Sequence, residues 1–210
     1  MRKLFIALLS ALLCLLLSVS ALAADGLSTF QETQTYQPGM FSDVKAGSWY
    51  EAGVRAVYTR GIMNGTGGKA FAPSQTITWA QAAAIAARIH AACGGAEIAA
   101  AEGQWYEPYL AYAAQAKLLP STCPEGAAAA STTITRQELV TMLYRLAGEP
   151  AVSGTITAPD AASVSTWATD AMTWAMNIGL VEGDENGAVT PTATATRAQA
   201  AALIMRYLEA

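Results

Sequence analysis

A tryptophan, a threonine and an arginine recur three times along this chain at nearly constant spacing. The tryptophans precede their threonines by 29, 30 and 29 residues, and each threonine precedes its arginine by ten. Repeats of this length are single supersecondary units that bury their apolar faces only by packing on one another. The sequence therefore predicts three copies of one unit around a shared core. The repeated residues are Trp49, Thr78 and Arg88, then Trp105, Thr135 and Arg145, then Trp167, Thr196 and Arg206.

Each unit has the pattern of two helices joined by a loop. Apolar residues recur at helical spacing after each tryptophan, and again at offsets of four, seven, eight and eleven after each threonine. Each threonine stands three residues before a glutamine or a glutamate, which is the pattern of a capping box. Gly61 and Gly179 follow the first helices at equivalent positions and suit helix C-termini. We therefore expect an all-α chain.

The repeated tryptophans and last-turn arginines first suggest structural roles. We expect Trp49, Trp105 and Trp167 to anchor the first helices in the core, although a partly exposed indole could instead stack on a sugar face. The arginines that end the second helices suit the negative end of the helix dipole.

The N-terminal segment predicts export. A short basic start, Arg2 and Lys3, precedes an apolar run from Leu4 to Leu17 and then Ala21-Leu22-Ala23. This order is typical of a secretory signal peptide, 1–23, cleaved after Ala23. The apolar run is too short to cross a bilayer comfortably, and no later stretch is long enough. We expect a secreted protein of the cell wall or cell surface, with no transmembrane segment in the mature chain and an N-terminal linker at 24–40.

The charge balance excludes one class of partner. The chain holds 12 basic and 16 acidic residues, a formal charge of −4, which becomes −6 without Arg2 and Lys3. An acidic protein is a poor non-specific partner for nucleic acid, so an anionic ligand would need locally placed cations. Cys93 and Cys123 remain in the mature chain and could form a disulfide in an oxidising compartment, or serve as two small buried residues.

Residues for catalysis are sparse. His90 is the only histidine, which removes a histidine-based triad and a histidine-rich metal site. Asp184 and Glu185 are adjacent in a turn-like segment and lack the separation that glycoside hydrolysis needs. We expect no catalytic residue, no cofactor and no metal. A cell-wall hydrolase or accessory enzyme and a protein–protein scaffold of the envelope are the alternatives to a binding module.

Short motifs in the three units resemble a known family. The first unit reads Phe41-Ser42-Asp43-Val44, then Gly61-Ile62-Met63-Asn64-Gly65, Phe71-Ala72-Pro73 and Ile77-Thr78-Trp79-Ala80-Gln81. It closely resembles the S-layer homology repeat, with its F-x-D-V opening, G-I-x-x-G turn, F-x-P element and I-T-R-A-E helix start. The second and third units match at fewer positions. The resembling segments are 41–93, 100–148 (degenerate) and 158–210.

The resemblance implies both an architecture and a role. It implies a pseudo-threefold helical spindle and non-covalent anchoring to secondary cell-wall polysaccharide, often carrying pyruvate ketals. Other S-layer or envelope proteins are further candidate partners. In the family, the arginine of the T-R-A-E motif lines a glycan groove, and here it maps to Arg136 and Arg197.

Elementary electrostatics also favours these two arginines as ligands of an anion. A cation in the first helical turn opposes the helix dipole, so the helix gains nothing from it. Free N–H groups at a helix start favour anions, and a guanidinium adds bidentate geometry for a carboxylate. We therefore expect Arg136 and Arg197 to seat a pyruvyl or uronic carboxylate. The alternative is a solvated surface arginine.

Five further residues complete the candidate glycan site. Trp79 stands where the first unit should carry its arginine, and it could stack on a sugar. Asp43 and Asp160 could cap the first helices or bond sugar hydroxyls, and Gly65 and Gly183 suit turns. The second unit lacks the F-x-D-V opening and the F-x-P element. One or two competent grooves are therefore expected rather than three.

Overall fold

The computed structural model of this protein describes residues 30–210, so the predicted signal peptide lies outside the described residues. Within 30–210 there are seven α-helices, two short 3₁₀ turns and no β-strand, which confirms the all-α prediction. No helix in this range has the length and apolarity of a membrane span. The helices are α1 (Glu51–Thr59), α2 (Trp79–Ala92), α3 (Glu107–Gln115), α4 (Ala128–Ser131), α5 (Arg136–Leu146), α6 (Thr169–Asn177) and α7 (Arg197–Glu209), and the 3₁₀ turns are Ala161–Ser163 and Thr166–Ala168.

Capping boxes begin the second helix of every repeat, as the sequence predicts. The hydroxyl of Thr78 accepts from the Gln81 N–H at 3.4 Å, and the Gln81 side chain accepts from the Thr78 N–H at 3.0 Å. Thr196 and Gln199 make the same pair at 3.2 and 3.0 Å. Reciprocal bonds of this kind satisfy N–H groups that a helix start leaves unpaired. They fix where α2 and α7 begin.

The last-turn arginines do more than complement a dipole. In each repeat the guanidinium of this arginine donates to a backbone carbonyl in the loop that follows the first helix. Arg88 donates to the Ile62 carbonyl at 2.9 Å and Arg206 to the Leu180 carbonyl at 3.3 Å. Arg145 donates to the Leu119 carbonyl. The arginines thereby join the end of the second helix to the loop of the same repeat.

A ring of three backbone hydrogen bonds joins the repeats at their centre. The residues just before the capping threonines are Ile77, Ile134 and Ala195. The Ile77 N–H donates to Ala195 at 3.0 Å, Ala195 donates to Ile134 at 2.9 Å, and Ile134 donates to Ile77 at 3.0 Å. All three residues are fully buried. Because each of the three residues donates its N–H and accepts one hydrogen bond at its carbonyl, the ring leaves none of these buried backbone groups unpaired.

Helix packing follows the same cyclic order. The second helix of each repeat packs on the first helix of the next: α2 on α3, α5 on α6, and α7 back on α1. The contact between α1 and α7 depends on Gly53, since a Cβ there would lie 2.9 Å from backbone atoms of Ala201 and Ala202. These contacts enclose one continuous apolar core.

The segment before the first repeat is more ordered than a linker. The N–H groups of Thr33 and Gln34 both donate to the Thr59 carbonyl, at 2.7 and 3.0 Å. Phe30 is buried, and Tyr36 packs against the core. Residues 30–40 therefore extend repeat 1, which corrects the expectation of a linker for that part of 24–40.

Cys93 and Cys123 are half-buried. Burial raises the pKa of both thiols, to about 11 for Cys123, where Glu138 adds to the effect. A thiol with a raised pKa is a poor nucleophile at neutral pH.

We predict that Gly53→Leu lowers the free energy of unfolding by about 3 kcal/mol or more, because the new side chain meets the backbone of α7. Ala52→Leu is the matched control, since the neighbouring Ala52 is exposed and the same side chain points to solvent. The control should change stability by no more than about 0.5 kcal/mol. Urea unfolding followed by circular dichroism measures both, and equal stability of the two variants would contradict the close α1–α7 contact.

Candidate functional site

The larger of two grooves is formed by residues of all three repeats. It has a volume of roughly 690 Å³, and we name it the repeat 3 groove because Gln199 and Arg206 of α7 line it. Trp49 of repeat 1 and Arg136 of repeat 2 complete the lining, together with the loop at Glu182.

A second, smaller groove has equivalent residues in a rotated arrangement. The repeat 1 groove, of roughly 80 Å³, is lined by Gln81 and Arg88 of α2, by Trp105 of repeat 2 and by Arg197 of repeat 3. Asn64 lines it at the position that Glu182 has in the repeat 3 groove. Each groove thus takes its floor from one repeat, its arginine from the preceding repeat and its tryptophan from the next.

The repeated tryptophans are exposed, so the expectation that they anchor the core is wrong. Trp49, Trp105 and Trp167 are 66%, 49% and 41% exposed. Each lies before its first helix instead of within it, so the helical stripe does not include it. Trp49 packs edge-on against Tyr50, with ring centroids 5.3 Å apart, which leaves an indole face available for a sugar.

Arg197 is held rigidly at the edge of the repeat 1 groove. Its Nε donates to the Phe71 carbonyl at 2.7 Å and its Nη2 to the Asn64 carbonyl at 2.6 Å. The guanidinium carbon lies 4.6 Å from the centre of the Phe71 ring. Burial lowers the pKa of Arg197 and Asp43 raises it, but an arginine stays cationic at physiological pH. Two of its five donors are used by these bonds, so others remain to bind a ligand.

Arg136 has the equivalent position in the repeat 3 groove. Its Nε donates to the Val189 carbonyl at 3.0 Å. Burial and the nearby charge of Arg206 lower the pKa of Arg136, and Asp160 raises it. The guanidinium of Arg206 opposes that of Arg136 across the groove, and an ion pair of 2.6 Å with Glu182 offsets the charge of Arg206.

The N–H groups at these helix starts are already paired, so the expectation of a helix-terminus anion seat is wrong. The Arg197 and Ala198 N–H groups donate to the Gln75 and Pro73 carbonyls, at 2.8 and 2.9 Å. In the same way, Arg136 and Gln137 donate to carbonyls of the repeat 3 loop at 193 and 191, both at 2.9 Å. A ligand carboxylate in either groove would therefore depend on guanidinium donors.

Asp43 and Asp160 hold the loops that position the arginines. The Asp43 carboxylate accepts from the N–H groups of Phe71 and Ala72, at 2.8 and 2.7 Å. Asp160 accepts from Val189 and Thr190, at 3.0 and 2.7 Å. The second residue of each pair has a positive φ, 58° for Ala72 and 46° for Thr190, which is unfavourable without such support. Neither carboxylate caps a helix, and a contact of either with sugar hydroxyls stays a prediction.

Gly65 and Gly183 occupy tight loops, as expected for turn residues. A Cβ at Gly65 would lie 2.7 Å from the Phe41 ring, and one at Gly183 would lie 2.4 Å from the backbone of Gly187. Gly183 also lines the repeat 3 groove. Both are therefore required by close packing of the loop.

Trp79 is buried, with 1% of its surface exposed, so its side chain is not available to stack on a sugar. The backbone N–H of Trp79 donates to the Thr132 carbonyl at 3.0 Å. The backbone N–H of Arg197 makes the equivalent bond to the Gln75 carbonyl. The start of α2 therefore contacts repeat 2 through its backbone, and Trp79 stands there in the place of an arginine. In that repeat the short helix α4 replaces the carboxylate-held loop.

Comparison with known proteins identifies the repeats. The model of the S-layer homology domain matches residues 41–83 and 159–201, which lie in repeats 1 and 3.

Three enzymes carry a similar segment. An amylopullulanase of Thermoanaerobacterium thermosulfurigenes is 30% identical over 84% of this chain, and the match covers 7% of that enzyme. The exoglucanase XynX of Acetivibrio thermocellus is 27% identical over 81% of the chain, covering 11% of the enzyme. An endoglucanase of Bacillus sp. (strain KSM-635) is 26% identical over 80%, covering 18%. The chain thus spans less than a fifth of the length of these relatives.

We predict that Asp43→Asn lowers stability by about 1–3 kcal/mol, because an amide cannot accept both N–H groups and one is left unsatisfied. Glu102→Gln, an equivalent change at an exposed loop residue, should have an effect within about 0.5 kcal/mol. Thermal unfolding measures the difference. A fully stable Asp43→Asn variant would show that the carboxylate does not hold the loop.

Proposed function

We propose, from the S-layer homology domains at residues 41–83 and 159–201, that this protein anchors itself to an anionic secondary cell-wall polysaccharide without catalysing a reaction. S-layer homology domains are non-catalytic anchors of the cell surface, and the two matches support a location of this chain there. The observation that carries the proposal is the meeting of an exposed tryptophan and a rigidly held arginine in each groove.

The groove residues suit a sugar that carries a carboxylate. The guanidinium donors of Arg197 would take the carboxylate, such as that of a pyruvyl ketal, through charge-assisted hydrogen bonds. Arg136 would bind the glycan in the repeat 3 groove. The indole of Trp105 or Trp49 would cover the apolar face of the sugar ring. Rigid positioning matters here, because little side-chain entropy is then lost when the glycan binds.

The arrangement of the chain gives no support to the enzymatic alternative. His90 is occupied, with Nδ1 2.9 Å from the Tyr112 hydroxyl, and burial lowers its pKa. The names of the relatives describe whole enzymes, of which the matched segment is a minor part.

We predict that Arg197→Ala and Trp105→Ala each weaken binding to purified cell walls. Loss of a charge-assisted contact should cost roughly 1.5–3 kcal/mol, or about ten- to a hundredfold in affinity. Sedimentation with walls across a salt series measures this, and Arg197→Ala should also reduce the salt sensitivity. Because Arg197 is nearly buried, circular dichroism must show that its variant folds; Trp105 is exposed, and its variant tests the groove independently.

Lys45→Ala is the matched control, since it removes one exposed positive charge that lines neither groove. Arg88 is not a suitable control, because it lines the same groove as Arg197. The control should bind as the parent does, and walls from which ketal-linked pyruvate has been removed should bind the parent poorly. If both groove variants bound with parental affinity, the glycan would have to bind elsewhere.

A further inference from the structure

The two grooves share their cations but differ in their anions. The repeat 1 groove is lined by Arg88 and Arg197 and by no aspartate or glutamate. The repeat 3 groove is lined by the equivalent pair, Arg136 and Arg206, and in addition by three carboxylates, which are Glu182, Asp184 and Glu185. The charged residues that line the repeat 1 groove are therefore all positive, whereas acidic residues outnumber the arginines in the repeat 3 groove.

Among these three carboxylates, Glu182 is the one that pairs directly with an arginine of the groove. Its Oε2 accepts from Nη2 of Arg206 at 2.6 Å, which pairs that guanidinium inside the groove. The equivalent residue in the repeat 1 groove is Asn64, whose amide oxygen accepts from the Gln34 side chain at 3.1 Å. Within residues 30–210 Arg88 makes no corresponding ion pair, and its Nη2 donates to the Tyr109 hydroxyl at 3.3 Å.

We propose that Glu182 is a specificity-determining residue: the repeat 1 groove binds the carboxylated sugar of the glycan, and the repeat 3 groove selects an uncharged sugar. This rests on the proposed function, since it assigns ligand classes to the same two grooves. Their sizes agree with the assignment. The recess of roughly 80 Å³ suits a carboxylate substituent with its ring outside, over Trp105, and the groove of roughly 690 Å³ admits a whole sugar.

In the repeat 3 groove a ligand carboxylate would be repelled by Glu182 and would gain little attraction from Arg206 in return. A ligand carboxylate near Arg206 would approach Glu182, whose negative charge already satisfies that guanidinium. Like charges at a partly exposed site repel strongly enough to lower affinity by roughly tenfold. In the repeat 1 groove the carboxylate meets two arginines and no lining carboxylate.

Each groove contains its own tryptophan, which makes a site-resolved test available. Methyl glucuronide and methyl glucoside are titrated into the full ¹⁵N-labelled chain, and the indole N–H signals of Trp105 and Trp49 report the repeat 1 and repeat 3 grooves separately. We expect glucuronide to shift the Trp105 signal at about tenfold lower concentration than the Trp49 signal. Trp167 lines neither groove, and its signal serves as an internal reference.

Reciprocal substitutions then exchange the selectivity. Glu182→Gln should bring the Trp49 response to glucuronide close to that of Trp105, and Asn64→Glu should weaken the Trp105 response about tenfold. Methyl glucoside should be insensitive to both substitutions. Both residues lie in exposed loops, so the fold should be retained, and unchanged dispersion of the buried Trp79 and Trp174 signals checks this.

Three results would overturn the assignment: equal glucuronide responses of Trp49 and Trp105 in the parent, no change on Glu182→Gln, or no indole response to glucuronide at all. Wall sedimentation separates these from a failure of the proposed function. A parent that sediments with walls but shows any of these three results still anchors, without the selectivity. A parent that does not sediment contradicts anchoring itself.

Discussion

The structure depends on how the repeats satisfy one another's backbone groups. The three buried residues before the helix caps form a closed ring of hydrogen bonds. Just beyond the ring, the first N–H groups of α5 and α7 donate to loop carbonyls of another repeat. A buried N–H without a partner costs as much as a lost hydrogen bond, so no repeat can leave the ring without leaving orphaned groups behind. The helix starts are therefore interfaces between repeats, and the grooves form where these interfaces reach the surface.

Much of this arrangement is predictable because it depends on local chemistry. A threonine followed three residues later by glutamine or glutamate specifies a helix start whatever surrounds it, and Thr78, Thr135 and Thr196 all cap helices. Gly61 and Gly179 adopt φ values of 66° and 72° after the first helices, as a C-terminal glycine should. Spacing alone likewise predicts the apolar faces of α2, α5 and α7. These features need no knowledge of how one repeat contacts another.

The site was harder to predict because its residues act across repeats. Sequence position places Arg197 beside free N–H groups, but those groups bond to a loop 120 and more residues away, at Gln75 and Pro73. For the same reason, the position of Trp79 suggests a groove while its side chain is buried between repeats. Trp49 lies before the first helix, so the helical periodicity of the apolar residues does not predict whether it is buried. The carboxylate clamp of Asp43 joins residues 28 and 29 positions apart and has no local signature.

Contacts between repeats also explain where this chain departs from the pattern of the S-layer homology repeat. Repeat 1 has lost its helix-start arginine to Trp79, and repeat 2 has lost the loop that such an arginine would contact. In sequence these are defects of two different repeats. In the structure these two positions are in contact, because the backbone N–H of Trp79 donates to the Thr132 carbonyl of repeat 2, next to α4. The start of α2 thus has neither an arginine nor a carboxylate-held loop facing it, whereas Arg197 and Arg136 each bond to a loop that Asp43 or Asp160 holds. A helix start and the loop that it contacts therefore belong to one interface, although they lie in different repeats of the sequence.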